Sequence, residues 1–375
     1  MQNFKLKTDV IFGSGSIECL RKLDGKQAFI VADEMMQTLG FVDRITNVLS
    51  GSGICCDVFT DVSPDPDIKM VTRGLEKMAS NLPDVILAVG GGSVIDTAKG
   101  ILYTYAKMQK DVTDLPKLIT IPTTSGTGSE VTAFSVITVN DEKLCLVDEV
   151  MTPDVAIVDP EFVKSVPASV TAETGLDALS HAIEAYVSTD ASDFTDALAE
   201  KAIKLLFDHL VTIYRDGSNM EAREKVHNAS CMAGIAFTNA SLGITHSMAH
   251  AIGGLFHLPH GRAIGIMLPH VITYNAELTK GGQTSAAEKY AQLARLIGLP
   301  ASNIQEGCQH FIRAIQVLLS ELSVRLAFRE YHVDKELYQK KLSTIATLAL
   351  ADNCTPTNPR QPKEADLVEL AKKAY

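Results

Sequence analysis

The sequence predicts two domains of different class, an α/β domain built on a doubly wound parallel sheet over residues 1–167 and an all-α domain over residues 168–375. Three observations predict it. Up to about residue 160, short apolar runs closed by Asp, Gly or Pro alternate with helical periodicities, the pattern of buried parallel strands and their crossovers. One of those runs ends in a three-glycine turn that opens a helix. After Pro167 only helical periodicity is found.

Taken in order, Met1–Gly13 reads as a strand and lacks the apolar region of a signal peptide. The further strands are Gln27–Ala32, Val85–Val89, Leu118–Ile121, Phe134–Val139 and Val155–Val158, with helices such as Ile68–Ala79 and Val94–Lys107 between them. Such an alternation predicts helices on both faces of the sheet. The second domain reads as helices over Glu173–Ser188, Asp193–Tyr214, Met220–Phe237, Ser241–Gly253 and Thr284–Ile297, with more towards the C-terminus. Asn353–Pro362 reads as an ordered loop before a last short helix. A chain of 375 residues is longer than one core usually grows. The boundary is expected near residues 160–170, with the active site in the cleft between the domains.

Composition excludes some partners. A net charge of -11 argues against nucleic acid and anionic membranes. No apolar run approaches the ~18 residues of a membrane helix. Seven scattered cysteines without CxxC spacing read as reduced, buried thiols of a cytoplasmic protein.

Two loops point to a bound phosphate. In Val85-Ile-Leu-Ala-Val-Gly-Gly-Gly-Ser93, Gly90, Gly91 and Gly92 leave the backbone bare, and the helix that follows offers its amides and positive end. Ser93 and Asp96 have the spacing of a helix cap. A second loop, Pro122-Thr-Thr-Ser-Gly-Thr-Gly-Ser-Glu130, carries five hydroxyls after a neighbouring strand, so the pair suits a dinucleotide. Asp33, ending the first βα strand, is placed to accept from a ribose 2′-hydroxyl and to repel a 2′-phosphate, favouring NAD over NADP. A helix-capping role is the alternative for Asp33.

A metal centre is suggested by histidine density. Four of the ten histidines fall in Thr245-His-Ser-Met-Ala-His-Ala-Ile-Gly-Gly-Leu-Phe-His-Leu-Pro-His-Gly261. His246 and His250 share a helix face, as do Asp177 and His181 upstream. Asp177, His181, His246, His250, His257 and His260 are all candidates, and spacing alone does not choose among them. A nitrogen and oxygen set without thiolate fits Fe(II), Zn(II) or Mn(II).

These motifs together resemble the iron-containing (group III) alcohol dehydrogenases over essentially the whole chain. They comprise Gly90-Gly-Gly-Ser93 with Asp96 and Lys99, Pro122 to Glu130, Pro153-Asp-Val-Ala-Ile-Val-Asp-Pro160, Asp177-x-x-x-His181, His246-x-x-x-His250 and Pro259-His260-Gly261. More narrowly, Ala191–Lys201, Phe256–Gly261 and Thr357-Asn-Pro-Arg360 resemble the 1-propanol dehydrogenases of bacterial propanediol-utilisation pathways. The resemblance implies a Rossmann-like N-terminal domain and a helical C-terminal domain, the fold shared with dehydroquinate synthase. It implies that Asp177, His181, His246 and His260 hold the metal, Fe(II) first and Zn(II) as the alternative, with His250 beside it as a proton relay. It places NAD(H) against Asp33, Asp65, Gly92, Ser93, Thr123, Thr124, Thr127, Thr132 and Lys143. The implied activity is NADH-dependent reduction of a short-chain aldehyde to its primary alcohol, and the reverse. The implied setting is a homodimer in the cytoplasm or inside a bacterial microcompartment, with that compartment's components as further partners. The apolar neighbours Met248, Ile252, Leu255 and Phe256 suggest a small uncharged substrate. Glycerol or 1,2-diol oxidation is the nearer rival activity, and a dehydroquinate synthase-like lyase the more distant one.

Overall fold

The computed structural model describes residues 3–109, 115–140 and 142–375, except the side chains of residues 142 and 143. By compactness the chain forms one unit over Lys5–Val166 and another over Pro167–Tyr375, which also takes in Phe4. Phe4 stacks on Phe194 of the helical unit, with ring centroids 5.5 Å apart.

Among the described residues, the first unit has eight strands: β1 (Asp9–Phe12), β2 (Gln27–Ala32), β3 (Cys55–Phe59), β4 (Val85–Gly90), β5 (Lys117–Pro122), β6 (Phe134–Val139), β7 (Glu142–Val147) and β8 (Val155–Val158). Six form a parallel sheet in the order β1-β8-β5-β4-β2-β3. Its four α-helices among the described residues are α1 (Glu34–Thr38), α2 (Phe41–Ser50), α3 (Ile68–Ala79) and α4 (Gly92–Met108). Strand β4 is wholly buried because both faces are covered. Val85, Leu87 and Val89 pack with Val42, Ile45 and Leu49 of α2. Ile86 and Ala88 pack on the other face with Val71 of α3 and Ile95, Ala98 and Ile101 of α4.

Register then sets the site. Gly90 pairs with Pro122 and Ala32 with Val89, so Asp33 and both glycine-bearing loops leave the sheet side by side. The chain reverses its direction of travel across the sheet between β2 and β4, the place where doubly wound sheets bind ligands.

Two expectations are corrected here, the partner of one strand and the burial of the cysteines, since Cys55 and Cys145 are exposed. Phe134–Val139 is a strand, but it pairs antiparallel with β7 in a separate hairpin, with Thr138 opposite Lys143. Its Ser135 and Ile137 are buried while Val136 is exposed, the pattern of a strand covered on one side. The edge strand β3 went unanticipated because Cys-Cys-Asp-Val-Phe lacks the apolar run of an interior strand.

No strand occurs among the described residues of the second unit. Its helices are α5 (Ala168–Val187), α6 (Asp193–Arg215), α7 (Met220–Ala240), α8 (Ile244–Phe256), α9 (His260–Asn275), α10 (Ser285–Leu296), α11 (Ile304–Glu321), α12 (Lys335–Ala351) and α13 (Glu364–Ala374). Helix α5 is the central pillar, buried almost all round from Gly175 to Val187, and α6, α7 and α9 pack against it. A helix apolar on every side belongs in a core, so polar groups on α5 need partners inside the protein. Met248, Ile252, Met267, Val271, Leu342 and Ile345 join α8, α9 and α12.

Candidate functional site

The buried carboxylate and imidazole groups of α5 are Asp177, His181 and Glu184, at successive helical positions on one face. Helix α8 brings His246 and the first residue of α9 is His260. The Asp177 carboxylate is the meeting point. Its Oδ1 lies 3.6 Å from His181 Nε2, 3.5 Å from His246 Nε2 and 3.3 Å from His260 Nε2. The ligand atoms of Asp177, His181 and His246 all lie within 4.8 Å of one another. Ligands held at about 2.1 Å around a tetrahedral cation are about 3.4 Å apart, so these separations fit a shared first-row metal better than direct hydrogen bonds. Asp177 Oδ1 and His246 Nε2 are buried without a hydrogen-bond partner. Burying such groups unpaired is costly, and a cation between them removes the cost. His260 is 41 % exposed, so the cluster is open to solvent on that side, as a substrate-binding metal requires.

A glycine sets the reach of His260. A Cβ on Gly261 would lie 2.1 Å from the Glu173 carbonyl oxygen, so the start of α9 rests directly on the backbone of α5. Arg262 adds an ion pair to Glu173 at 2.7 Å.

The imidazole of His246 is aimed by Glu184. This buried carboxylate accepts from His246 Nδ1 at 2.5 Å and from the backbone amides of Thr245 at 2.7 Å and Gly243 at 3.1 Å. It therefore caps α8 from a neighbouring helix and turns His246 Nε2 towards Asp177. Without a metal, burial opposes the His246 charge, but Glu184 and Asp177 outweigh it and push its pKa up to about 9. Burial would raise Asp177, yet the facing imidazoles hold it well below the usual carboxylate range. Glu184→Gln should weaken metal affinity by about 10–100-fold at unchanged secondary structure. A competition titration against a chelator checks this, and an unchanged affinity would leave Glu184 a purely structural cap.

His250 stands beside the cluster. Its ring stacks on His260 with centroids 5.2 Å apart, and its Nδ1 is 2.8 Å from Asp352 Oδ2 at the end of α12. His257 takes no part; it is exposed and ends α8 in left-handed backbone (φ 52°). Met248 and Ile252 lie in the helical core, with Leu255 and Phe256 packed against it, so these four owe their apolar character to packing. Arg262 is committed to Glu173.

In the first unit the two glycine-bearing loops touch. A Cβ on Gly91 would come within 3.3 Å of Thr124 Cγ2, and one on Gly92 within 2.9 Å of Thr127 Cγ2. The Thr123 amide donates to Gly90 carbonyl oxygen at 3.0 Å. Gly91, Gly92, Ser93, Thr124 and Thr127 remain half-buried at this surface, while Thr123 is buried. By position, the Gly92 and Ser93 amides fall in the first turn of α4, which lacks helical acceptors. A bare backbone, hydroxyls and a helix N-terminus suit a pyrophosphate.

The capping reading of Ser93 and Asp96 is corrected: Gly91 holds the N-cap position of α4, and no side chain caps it. Asp96 lies deeper and accepts from Ser129 Oγ at 2.7 Å and Val136 amide at 3.0 Å. The buried Lys99 ammonium lies within 3.1 Å of Ser129 Oγ, Thr132 Oγ1 and the Thr132 and Phe134 carbonyl oxygens. Burial lowers its pKa to about 8 against the pull of Asp96 and Glu130. Thr132 is thus bound to this clamp between α4 and the second loop. Asp33 Oδ1 caps α1 by accepting from the Met36 amide at 2.8 Å. Asp65 is exposed in left-handed backbone (φ 56°) before α3. Lys143 lies on β7, and its side chain falls outside the described residues.

Sequence reasoning missed Glu184 and Asp352. The first had a signal, since Asp177, His181 and Glu184 are spaced four and three apart. Asp352, 102 residues from His250, had none.

Comparison with known proteins gives a family for the whole chain. A model described as iron-containing alcohol dehydrogenase matches residues 7–160, and one described as the C-terminal part of the Fe-containing alcohol dehydrogenase family matches residues 171–375. The aldehyde-alcohol dehydrogenase of Streptococcus pneumoniae is 43% identical over 100% of this chain, which spans only 46% of that protein, about half its length. The NADPH-dependent butanol dehydrogenase of Clostridium saccharobutylicum is 40% identical, with 100% of this chain and 98% of that one covered. The 1-propanol dehydrogenase PduQ of Salmonella typhimurium is 40% identical, with 99% of each covered. Among solved structures, a 1,3-propanediol oxidoreductase superposes with a TM-score of 0.92 at 34% identity, covering 100% of both chains. A sulfoacetaldehyde reductase from Bifidobacterium kashiwanohense in complex with NAD+ gives 0.87 at 26% identity, covering 100% of this chain and 98% of that one.

Proposed function

The chain belongs to the iron-containing alcohol dehydrogenase family, and on that premise we propose that it reduces a short, uncharged aldehyde such as propanal to its primary alcohol with NADH, and catalyses the reverse oxidation. The observation that carries this reading is the convergence of Asp177 Oδ1 and three Nε2 atoms, with two buried polar atoms left unpartnered where a cation fits.

Asp177, His181, His246 and His260 would hold Fe(II), with Zn(II) as the alternative. When bound, the cation would supply Lewis-acid polarisation of the substrate oxygen and the dinucleotide would supply the hydride. The protein's own residues do the rest. Glu184 keeps His246 oriented and Gly261 keeps His260 in reach. Gly91, Gly92, Ser93, Thr123, Thr124 and Thr127 would bind the pyrophosphate, with Asp33 at the adenosine ribose and Asp65, Thr132 and Lys143 completing the cofactor set. His250 would deliver a proton to the product oxygen, its Nδ1 fixed by Asp352 so that Nε2 is the exchanging atom. An uncharged substrate suits a neighbourhood where Asp352 is anionic and Arg262 is neutralised by Glu173. A lyase acting on an anionic sugar acid would want the reverse. The similarity to PduQ favours propanal and, with it, a homodimer working in the cytoplasm or a bacterial microcompartment.

The test is metal analysis of anaerobically purified protein together with a panel of two- to six-carbon aldehydes, glycerol and 1,2-diols. One metal per chain and propanal-dependent NADH oxidation, lost to a chelator and restored by Fe(II), are expected. Metal-replete protein inert towards the whole panel would sink the proposal, and a preference for diols would favour the rival reading. His250→Ala should cut kcat about 10²–10⁴-fold with the metal retained; an unchanged kcat removes His250 from the proton path.

Asp33→Gly separates its two roles. Loss of the α1 cap to glycine costs only a few tenths of a kcal/mol. Removing a carboxylate from the 2′-position should raise relative use of NADPH at least about tenfold, the equivalent of about 1.4 kcal/mol. The ratio of kcat/KM for the two cofactors reads it directly. If that ratio does not move, Asp33 is a cap alone.

A further inference from the structure

We propose that His250, Asp352 and Cys354 form a second cation site next to the first, one that includes a thiolate, and that a soft divalent ion such as Zn(II) taken up there inhibits the enzyme. The ligand atoms of the three residues all lie within 4.8 Å of one another. His250 comes from α8, while Asp352 and Cys354 follow the end of α12, so two separate elements supply the ligands. The carboxylate is built in place. Asp352 Oδ1 accepts from the Cys354 amide at 2.8 Å and from Ser247 Oγ at 3.3 Å, while Oδ2 faces His250 Nδ1 at 2.8 Å. Burial would raise the Asp352 pKa, but the hydrogen bond and charge of His250 and the Cys354 contacts hold it well below the usual carboxylate range. It is therefore an anion throughout the neutral range. The His250 side chain is 46 % exposed and Cys354 half-buried, so an ion reaches them from solvent.

The ligand chemistry differs from that of the first centre. Asp177 and three imidazoles offer nitrogen and oxygen only, whereas Cys354 adds sulfur, which selects Zn(II) or Cd(II) over Mg(II) or Mn(II). Zn–N and Zn–O bonds of about 2.0–2.2 Å set neighbouring ligands about 3.4 Å apart, so the His250–Asp352 contact must open by about half an ångström. The exposed imidazole has room for that. Protons balance without any redox step. The thiol proton of Cys354 passes to water as sulfur binds the ion, and the imidazole proton moves from Nδ1 to Nε2 as Nδ1 becomes a ligand. One proton leaves per ion bound. Nε2 then carries a hydrogen whose loss would leave an imidazolate, and it has no lone pair to take up another, so it no longer delivers or accepts the proton assigned to it.

Inhibition rests on the proposed role of His250; ion binding does not. The experiment reads the two separately. Metal-loaded wild-type protein and Cys354→Ser are titrated with Cd(II), following the ultraviolet thiolate-to-cadmium charge-transfer band. The first centre holds no sulfur and cannot give this band. Wild type should bind one equivalent more than Cys354→Ser, with the band confined to wild type, and Asp352→Asn should bind that equivalent at least about tenfold more weakly. In a second arm, Zn(II) should inhibit aldehyde reduction by wild type and need at least about a tenfold higher concentration with Cys354→Ser. A band of equal size in Cys354→Ser, which would place the ion on other thiols such as Cys55, overturns the site. So does the absence of an added equivalent in wild type. Binding without inhibition overturns the inhibitory half. An enzyme inactive on every aldehyde fails the proposed function, while the band still decides the site.

Discussion

Replacing Asp177 with alanine should empty the centre of metal and abolish turnover. Among the described residues, Asp177 is the one carboxylate facing His181, His246 and His260 together, at 3.3–3.6 Å. Without it three imidazoles converge with no anion among them, and the metal-free His246 loses one of the two carboxylates that stabilise its charge. A bound cation contributes several kcal/mol of stabilisation to developing negative charge. At about 1.4 kcal/mol per decade its loss lowers kcat/KM by at least about 10³-fold. The glycine-bearing loops belong to the other compact unit, so NADH binding should persist. Metal analysis, propanal-dependent NADH oxidation and an NADH-binding titration make the check. A variant that keeps one metal per chain and full activity would show that the centre lies elsewhere.

Gly261→Ala should weaken the same centre with a single methyl group. The added Cβ would lie 2.1 Å from the Glu173 carbonyl oxygen, with the Glu173 carbonyl carbon and Cα at 2.6 and 2.8 Å. That neighbour is helix backbone, so it cannot rotate aside as a side chain would. Relieving the contact means moving the start of α9 by about 1 Å, and His260 moves with it. Overpacking of this kind costs about 1–3 kcal/mol or more, and metal affinity should fall at least about tenfold. Gly254→Ala is the control. Nothing lies within 4 Å of its added methyl, and it sits inside α8, so it should stabilise by about 1 kcal/mol. Thermal unfolding and metal affinity of the pair test the argument. If both variants retain metal equally, α9 does not need to sit so close to α5.

Pattern alone reached much of this protein. Buried strands such as Val85–Gly90 announce themselves because both faces must be apolar, and α3 and α6 because one face must be. Asp177 and His181 were legible because four residues make one helical turn. Phe134–Val139 was misplaced because strand propensity does not say which strand is the partner. Asp96 read as a cap because Ser-x-x-Asp fits one, yet its carboxylate faces Ser129 and Val136 instead.

The two classes of secondary structure, the two glycine-bearing loops and the set of candidate ligands are legible before folding, because each depends on spacings of a few residues. Which candidates meet depends on the packed helices. His257 is three residues from His260 yet stays out, because a left-handed residue ends α8 and Gly261 seats the next helix on α5. Glu184 aims His246 across 62 residues and Asp352 holds His250 across 102. Such pairings come from how helices cross, and a crossing is fixed by the packing of whole faces rather than by any local run of residues.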